Sequence, residues 1–509
     1  MSTRVYSAQT SGLNGSIVEV EADVTSGLYS FSIVGLPDKA VEESKDRISA
    51  AIKNSGFNSP KAKSQKTVIS LAPADIKKEG PLFDLPIALS FLLTTKQVDF
   101  DLSKRIFLGE LSLNGEIRPV KGALLLAKRA MESGFEEIYV PAKNAKEAAL
   151  IRGIKVFGCD NLAEVLNHFN NRTSFSLEEH LPTEIEVDEQ REENILDFSD
   201  VKGQESAKRG LEIAAAGGHN ILMVGPAGTG KTMLAKAFAS LLPELSFDEI
   251  LETTMIHSIA GVLNQDYVVQ RPFRSPHHTS SYVSLVGGGA YPKPGEITLS
   301  HRGVLFLDEF SEFEKRTIEA LRQPLEDGVI NVSRAKATVT FPASFILVCA
   351  MNPCPCGNAG SNTKECVCSQ GDLMRYQRKV SGPILDRIDL WIEVPQVDHL
   401  KLSDDSVKGE TSQKIRKRVS LARKIQEKRF TIMPKKVLTN SEMGVRELKQ
   451  FAQLSDNAKK VLNDAAKSLD LSGRAYHRVI KLARTIADLE GEDDIKVNHL
   501  FEALQYRPK

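Results

Sequence analysis

Along the first 170 or so residues, two kinds of apolar pattern alternate. SIVEVEADV, YSFSIVG, TVISLAP and EEIYVPA place apolar residues at every second position or in short runs. AVEESKDRISAAIKNSG, DLPIALSFLL and KGALLLAKRAMESG place them at every third or fourth. The first pattern predicts strands and the second amphipathic helices. Their interleaving predicts an α/β or α+β layered domain. The alternation resumes beyond residue 200 with ILMV, VLFL, SFILVCA and WIEV as apolar strands, and past Val397 only helical spacing remains.

One stretch breaks the pattern. Residues 178–193, EEHLPTEIEVDEQREE, carry eight acids against one Arg and few large apolar side chains, which reads as a solvated linker. The chain therefore divides into an N-terminal domain (1–172), an acidic linker (173–197), a second α/β domain (198–397) and a helical domain (398–509). Lys plus Arg and Asp plus Glu both number 66, so any basic surface must be local. No apolar run reaches the ~18 residues of a membrane span, and MSTRVYSAQTSG lacks the apolar core of a secretory signal. Six cysteines in 509 residues argue against a disulfide framework and for a reducing cytosol, so the expected location is cytoplasmic. Cys159 and Cys349 sit in apolar surroundings and read as inert core residues.

The motif with the most chemical content is GPAGTGKT: Gly225, Pro226, Ala227, Gly228, Thr229, Gly230, Lys231 and Thr232. It follows an apolar strand and opens a helix, the setting in which backbone N–H groups and a helix N-terminus cradle phosphates. Lys231 would reach the β- and γ-phosphates of ATP, and Thr232 would offer its hydroxyl to Mg²⁺. Downstream, VLFLDE delivers Asp308 to the Mg²⁺ shell and Glu309 to the attacking water. The strand SFILVCA ends just before Asn352, whose amide can polarise that water, and GPILDRID puts Arg387 in a polar turn beside Asp386 and Asp389.

This order resembles an AAA+ ATPase, with a P-loop core and a helical lid. The resemblance implies a ring in which ATP lies between subunits and Arg387 serves the neighbour's site in trans. It also implies a second sensor arginine in LSGRAYHRVIKLARTIADL: Arg474 is the candidate, with Arg478 and Arg484 on the same helix. The long turn-rich segment before VLFLDE and the hairpin GVINVSRAKATVTFPA after it resemble the magnesium-chelatase-like branch. SPHHTSS, PGEITLSHRGVLFLDE, NPCPCG and SGPILDRIDL narrow the resemblance to the ComM/YifB family over nearly the whole chain. That resemblance implies a homo-hexameric motor on single-stranded and branched DNA, driving branch migration during natural transformation, with other recombination proteins as further partners. Arg334 and Lys336 at the hairpin tip would line the pore and grip phosphates, with His277, His278, Arg271 and Arg274 as weaker candidates. The competing class is a chelatase-like motor acting on a protein client.

Cys354, Cys356, Cys366 and Cys368 form C-x-C-x9-C-x-C, a pattern that can close a structural tetrahedral Zn²⁺ site. Free thiols or a redox pair are the other readings. In the N-terminal domain, ADIKKEGPLFDL and GEIRPVKGA resemble a Lon-protease-like (ribosomal S5 domain 2-like) α+β fold. Leu82 and Phe83 follow Gly80-Pro81, and Leu124 falls where the dyad lysine belongs, so proteolysis is not expected. Lys77, Lys78, Arg118 and Lys121 could touch DNA or simply face solvent. KIRKRVSLARKIQEKR predicts a helix with Ile415, Val419 and Ala422 inward and its cations outward.

Overall fold

The computed structural model describes residues 3–170, 175–185, 196–289, 292–334, 337–361, 364–397, 409–433 and 437–508, with backbone only at 334 and 337. Residues 173–174 and 186–195 of the acidic linker, the first residues of the helical domain, Lys336 and the Arg334 side chain lie outside the described residues. The described part of the linker is not simply solvated: Glu179–His180 pairs antiparallel with Lys155–Cys159 at the edge of the first sheet. The chain forms two compact units: Met1–Glu186 with Phe247–Val268, and Val187–Ser246 with Val269–Lys509.

The first unit is built on an eight-stranded mixed sheet. Thr3–Ser11, Asn14–Ser26 and Gln65–Ala72 run antiparallel in its middle, and Ser30–Val34, Arg105–Phe107, Glu137–Pro141 and Lys155–Cys159 add parallel pairs. Helix Asp84–Thr94 is buried along nearly its whole length, as its unbroken apolar sequence requires. Leu82 is half-buried and Phe83 and Leu124 are fully buried, three apolar side chains at the positions where the Lon-like resemblance would place a nucleophile and its base. Lys78 is also buried, and its ammonium donates to the carbonyls of Pro73 and Ile76 (2.8 Å to the latter), which removes it as a surface contact for DNA. Helix Phe247–Ala260 follows the P-loop in sequence yet belongs to this unit. Leu251 and Met255 pack against its core, and Ser258 Oγ accepts the Gly122 N–H at 2.8 Å.

The second unit contains a five-stranded sheet ordered Phe273–Arg274, Val304–Leu307, Ile346–Met351, Ile221–Val224, Leu390–Glu393, parallel at every pairing. Val304–Leu307 is buried at every position and Ile346–Met351 at all but its last, the signature of strands covered on both faces. Loops at the carboxyl ends of such strands form the crevice where ligands bind. Val329–Arg334 and Ala337–Pro342 pair as the expected hairpin, with Arg334 opposite Ala337.

Helices Ser412–Phe430, Val445–Phe451, Asp456–Ser468, Gly473–Glu490 and Val497–Gln505 form the helical part and share one core with helix Glu205–Gly217. Ile415, Val419 and Ala422 are buried as predicted. Lys414, Lys417, Lys424 and Lys428 are exposed as expected, whereas three arginines of the same helix are tied into the fold. Arg418 pairs with Glu212 (2.6 Å) and Glu410, Arg423 donates to the Ala215 carbonyl (2.8 Å), and Arg429 pairs with Asp488. Cys159 and Cys349 are fully buried, and burial pushes both thiols upward. No helix among the described residues is long and apolar enough to cross a membrane.

Candidate nucleotide site and cysteine cluster

The parallel sheet explains why residues far apart in sequence converge. Gly225 follows strand Ile221–Val224, Asp308 follows Val304–Leu307, and Asn352 follows Ile346–Met351, all at the same edge. The P-loop then turns into helix Lys231–Ala239. Two of its glycines are dictated by geometry. A Cβ on Gly225 would lie 2.2 Å from the Val394 carbonyl oxygen, and Gly230, with φ +84°, caps the helix in the left-handed region.

Lys231 Nζ donates to the carbonyls of Gly225 (2.7 Å) and Pro226 (2.8 Å) and to Asn352 Oδ1 (3.2 Å). Burial lowers its pKa, and Asp308 works in the opposite direction. A buried ammonium held only by neutral oxygens fits an incoming phosphate, which supplies the missing negative charge. Thr232 Oγ1 donates to Asp308 Oδ2 at 2.7 Å, so a hydroxyl and a carboxylate stand together as hard oxygen donors suited to Mg²⁺. Glu309, at φ +51°, is a non-glycine residue in the left-handed region. Such strain is retained where it aims a functional side chain.

Its carboxylate has a partner the sequence reading placed elsewhere. His278 Nδ1 lies 2.9 Å from Glu309 Oε2. Strand Phe273–Arg274 runs parallel beside Val304–Leu307, so the SPHH loop leaves the sheet at the same end as Asp308 and Glu309. His277 stays exposed, 2.8 Å from Thr279 Oγ1, while the two arginine candidates of this segment are engaged in the fold. Arg274 forms a two-point pair with Glu296 (2.6 and 2.8 Å), and Arg271 donates to the Pro243 and Arg302 carbonyls.

Arg387 pairs with neither Asp386 nor Asp389. Its guanidinium donates to Glu326 and to the Pro383 carbonyl (2.7 Å). Asp389 instead lies buried beside His219 and Arg478. Arg474 reaches the same Glu326 at 3.7 Å, so the two arginines assigned to phosphate contact meet at one carboxylate. Helix Gly473–Glu490 separates the three sensor candidates: Arg474 stays exposed in its first turn, Arg478 is half-buried against Asp389, and Arg484 is buried against Asp488.

Cys354, Cys356, Cys366 and Cys368 bring their sulfurs within 4.8 Å of one another. Sγ separations are 3.3 Å for Cys354–Cys356 and 3.7 Å for Cys356–Cys366 and Cys366–Cys354. Four sulfurs at ~2.3 Å from one Zn²⁺ would stand about 3.8 Å apart along the tetrahedral edges. All four are free thiols. Backbone N–H groups of Asn358 and Val367, then Cys354, pull the Cys356 thiol down to about 6. The donor set and its spacing fit a structural zinc.

A P-loop, Asp308-Glu309 at the end of a neighbouring strand, Asn352 on the next and a helical domain behind define an AAA+ ATPase, which implies ATP and Mg²⁺. Residues 197–402 match the family described as magnesium chelatase, subunit ChlI, residues 20–144 match subunit ChlI of Mg-chelatase, and 409–507 match its C-terminal family. The chain belongs to the ComM/YifB family within that magnesium-chelatase-like branch. It is 42% identical over 506 residues to the competence protein ComM of Haemophilus influenzae, covering 99% of this chain and 97% of that protein. To YifB of Escherichia coli it is 43% identical, covering 99% and 96%. Similarity to the magnesium-chelatase 67 kDa subunit of Chlorobaculum parvum is 27% over 165 residues, 31% of this chain and 24% of that one.

Proposed function

We propose that the protein is an ATP-driven homo-hexameric DNA translocase that promotes branch migration of recombination intermediates, as in natural transformation. The observation that carries this is the assembled Lys231–Asn352 and Thr232–Asp308 site in a chain matching a competence protein along its length. Bound Mg²⁺–ATP supplies the activated phosphoanhydride. Lys231 neutralises phosphate charge, Asp308 and Thr232 hold the metal, and Glu309 takes the proton of the attacking water. Asn352 orients that water, Arg474 reaches over from the helical domain, and Arg387 leaves Glu326 to complete the neighbour's site.

The hairpin supports the DNA reading. Its two strands pair with Arg334 opposite Ala337, and in sequence Lys336 falls between them. Six copies around a pore would track phosphates without reading bases. The first unit, without nucleophile or base at its dyad positions, acts in this scheme as a non-proteolytic Lon-like module in a cytoplasmic assembly.

The test is migration of a labelled Holliday junction by wild type, Lys231→Ala and the Arg334→Ala/Lys336→Ala pair. Migration should be lost in both variants, with hydrolysis lost only in the first. Hydrolysis stimulated by a protein client and indifferent to DNA would favour the chelatase-like reading.

A further inference from the structure

The cysteine cluster and the P-loop touch. The first pair of thiols brackets Pro355, and the turn that follows is closed by Gly357 N–H on the Cys354 carbonyl (3.0 Å) and Ala359 N–H on Cys354 Sγ (3.3 Å). The Gly357 carbonyl in turn accepts the Ala227 N–H of the P-loop at 3.3 Å. Gly357, at φ +76°, lies against both: a Cβ built on it would be in van der Waals contact with the Ala227 side chain (3.6 Å) and Asn352 Nδ2 (3.8 Å). One turn therefore backs both the phosphate-binding loop and the residue that contacts Lys231.

The second pair leads to the opposite wall. Cys366 and Cys368 precede helix Gln370–Gln377, which Ser369 and Asp372 cap reciprocally. On that helix Tyr376 is buried, and its hydroxyl accepts from Ser311 Oγ at 2.7 Å, two residues beyond Glu309. A bond between the pairs thus ties the P-loop and Asn352 to the loop after Glu309. Thiols are weak hydrogen-bond donors and hold such a junction poorly, whereas four metal–thiolate bonds fix it.

We propose that the four cysteines form a zinc site energetically coupled to the nucleotide site, so that zinc occupancy strengthens ATP binding and ATP strengthens zinc retention. The Gly357–Ala227 contact carries the coupling, and the inference rests on the nucleotide reading above. A metal that merely stabilised a surface loop would leave ATP affinity unchanged. Coupling is reciprocal, so each ligand changes the other's affinity by the same factor.

The experiment uses the full-length chain as purified with zinc, the same protein stripped with a zinc-selective chelator that spares Mg²⁺, and stripped protein re-supplied with zinc. Bound zinc is measured by elemental analysis, binding of a fluorescent ATP analogue by anisotropy, and zinc affinity by competition with a chromophoric chelator with and without ATP. Circular dichroism verifies that the stripped chain stays folded. One zinc per chain is expected, with the nucleotide Kd rising about tenfold on stripping, recovering on re-addition, and matched by an equal effect of ATP on zinc. The Cys366→Ser/Cys368→Ser pair should behave as the stripped protein. Absence of stoichiometric zinc, or equal nucleotide affinity with and without it, overturns the proposal. Failure of the zinc-loaded chain to bind the analogue at all overturns the ATPase reading itself.

Discussion

In the proposed mechanism the base Glu309 is positioned by His278, whose Nδ1 lies 2.9 Å from its carboxylate. A carboxylate held at 2.9 Å by an imidazole from a neighbouring strand's loop is positioned before any water arrives. Replacing Glu309 by Gln should lower ATP turnover by at least about a hundredfold while nucleotide still binds. Replacing His278 by Ala should lower kcat about tenfold and leave the KM for ATP nearly unchanged, the pattern of a residue that positions the base. Steady-state hydrolysis checks both, and an unchanged kcat for His278→Ala would remove it from the mechanism. Much of this scale was legible in the sequence, because phosphate binding demands GPAGTGKT as contiguous backbone chemistry. The partners of Arg387 and Glu309 were not. Glu326 lies 61 residues before Arg387 and His278 lies 31 before Glu309, separations across which only the sheet decides who meets whom.

At the scale of elements, the junction between the P-loop core and the helical domain rests on buried polar groups. His219 is fully buried, with Nε2 2.8 Å from Thr485 Oγ1 and Nδ1 3.4 Å from Asp389. Burial lowers its pKa below the ordinary 6.5, with Lys481 and Arg423 adding to the effect against the pull of Asp389. Below that value the unfolded chain takes up a proton that the folded chain refuses, so stability is full above pH 6.5 and falls as the pH drops through it. The loss approaches about 1.4 kcal/mol per pH unit for one proton. Melting of wild type and His219→Asn at pH 7.5 and 5.5 should show the variant losing less on acidification; an equal loss would contradict the assignment. Apolar runs such as VLFL and ILMV were legible as strands because both faces are covered. Thr3–Ser11 gave no such signal, since Ser7 and Gln9 are among its buried positions and Ser7 Oγ spends its hydrogen bond on the Phe107 carbonyl. The 198–397 boundary assigned helix Phe247–Ala260 to the second domain, whereas it packs in the first unit; its buried Thr253, Thr254 and Ser258 carry no apolar signal of that face.

For the whole molecule, the claim is that each ATP is split at a boundary between chains. The pattern of motifs pointed to a ring, but a single chain's hydrophobic periodicity carries no record of the symmetry that repeats it. The structure adds that Arg387 and Arg474 meet at Glu326, so both are held at one carboxylate that a phosphate could replace. The most direct test mixes two inactive proteins, Glu309→Gln and Arg387→Ala. A site built from the base of one subunit and the guanidinium of its neighbour should reappear in about a quarter of the interfaces of randomly mixed rings. The account predicts that ATPase activity returns on mixing to a corresponding fraction of the wild-type rate. No recovery on mixing, or an Arg387→Ala protein that hydrolyses ATP at the full rate alone, would contradict it.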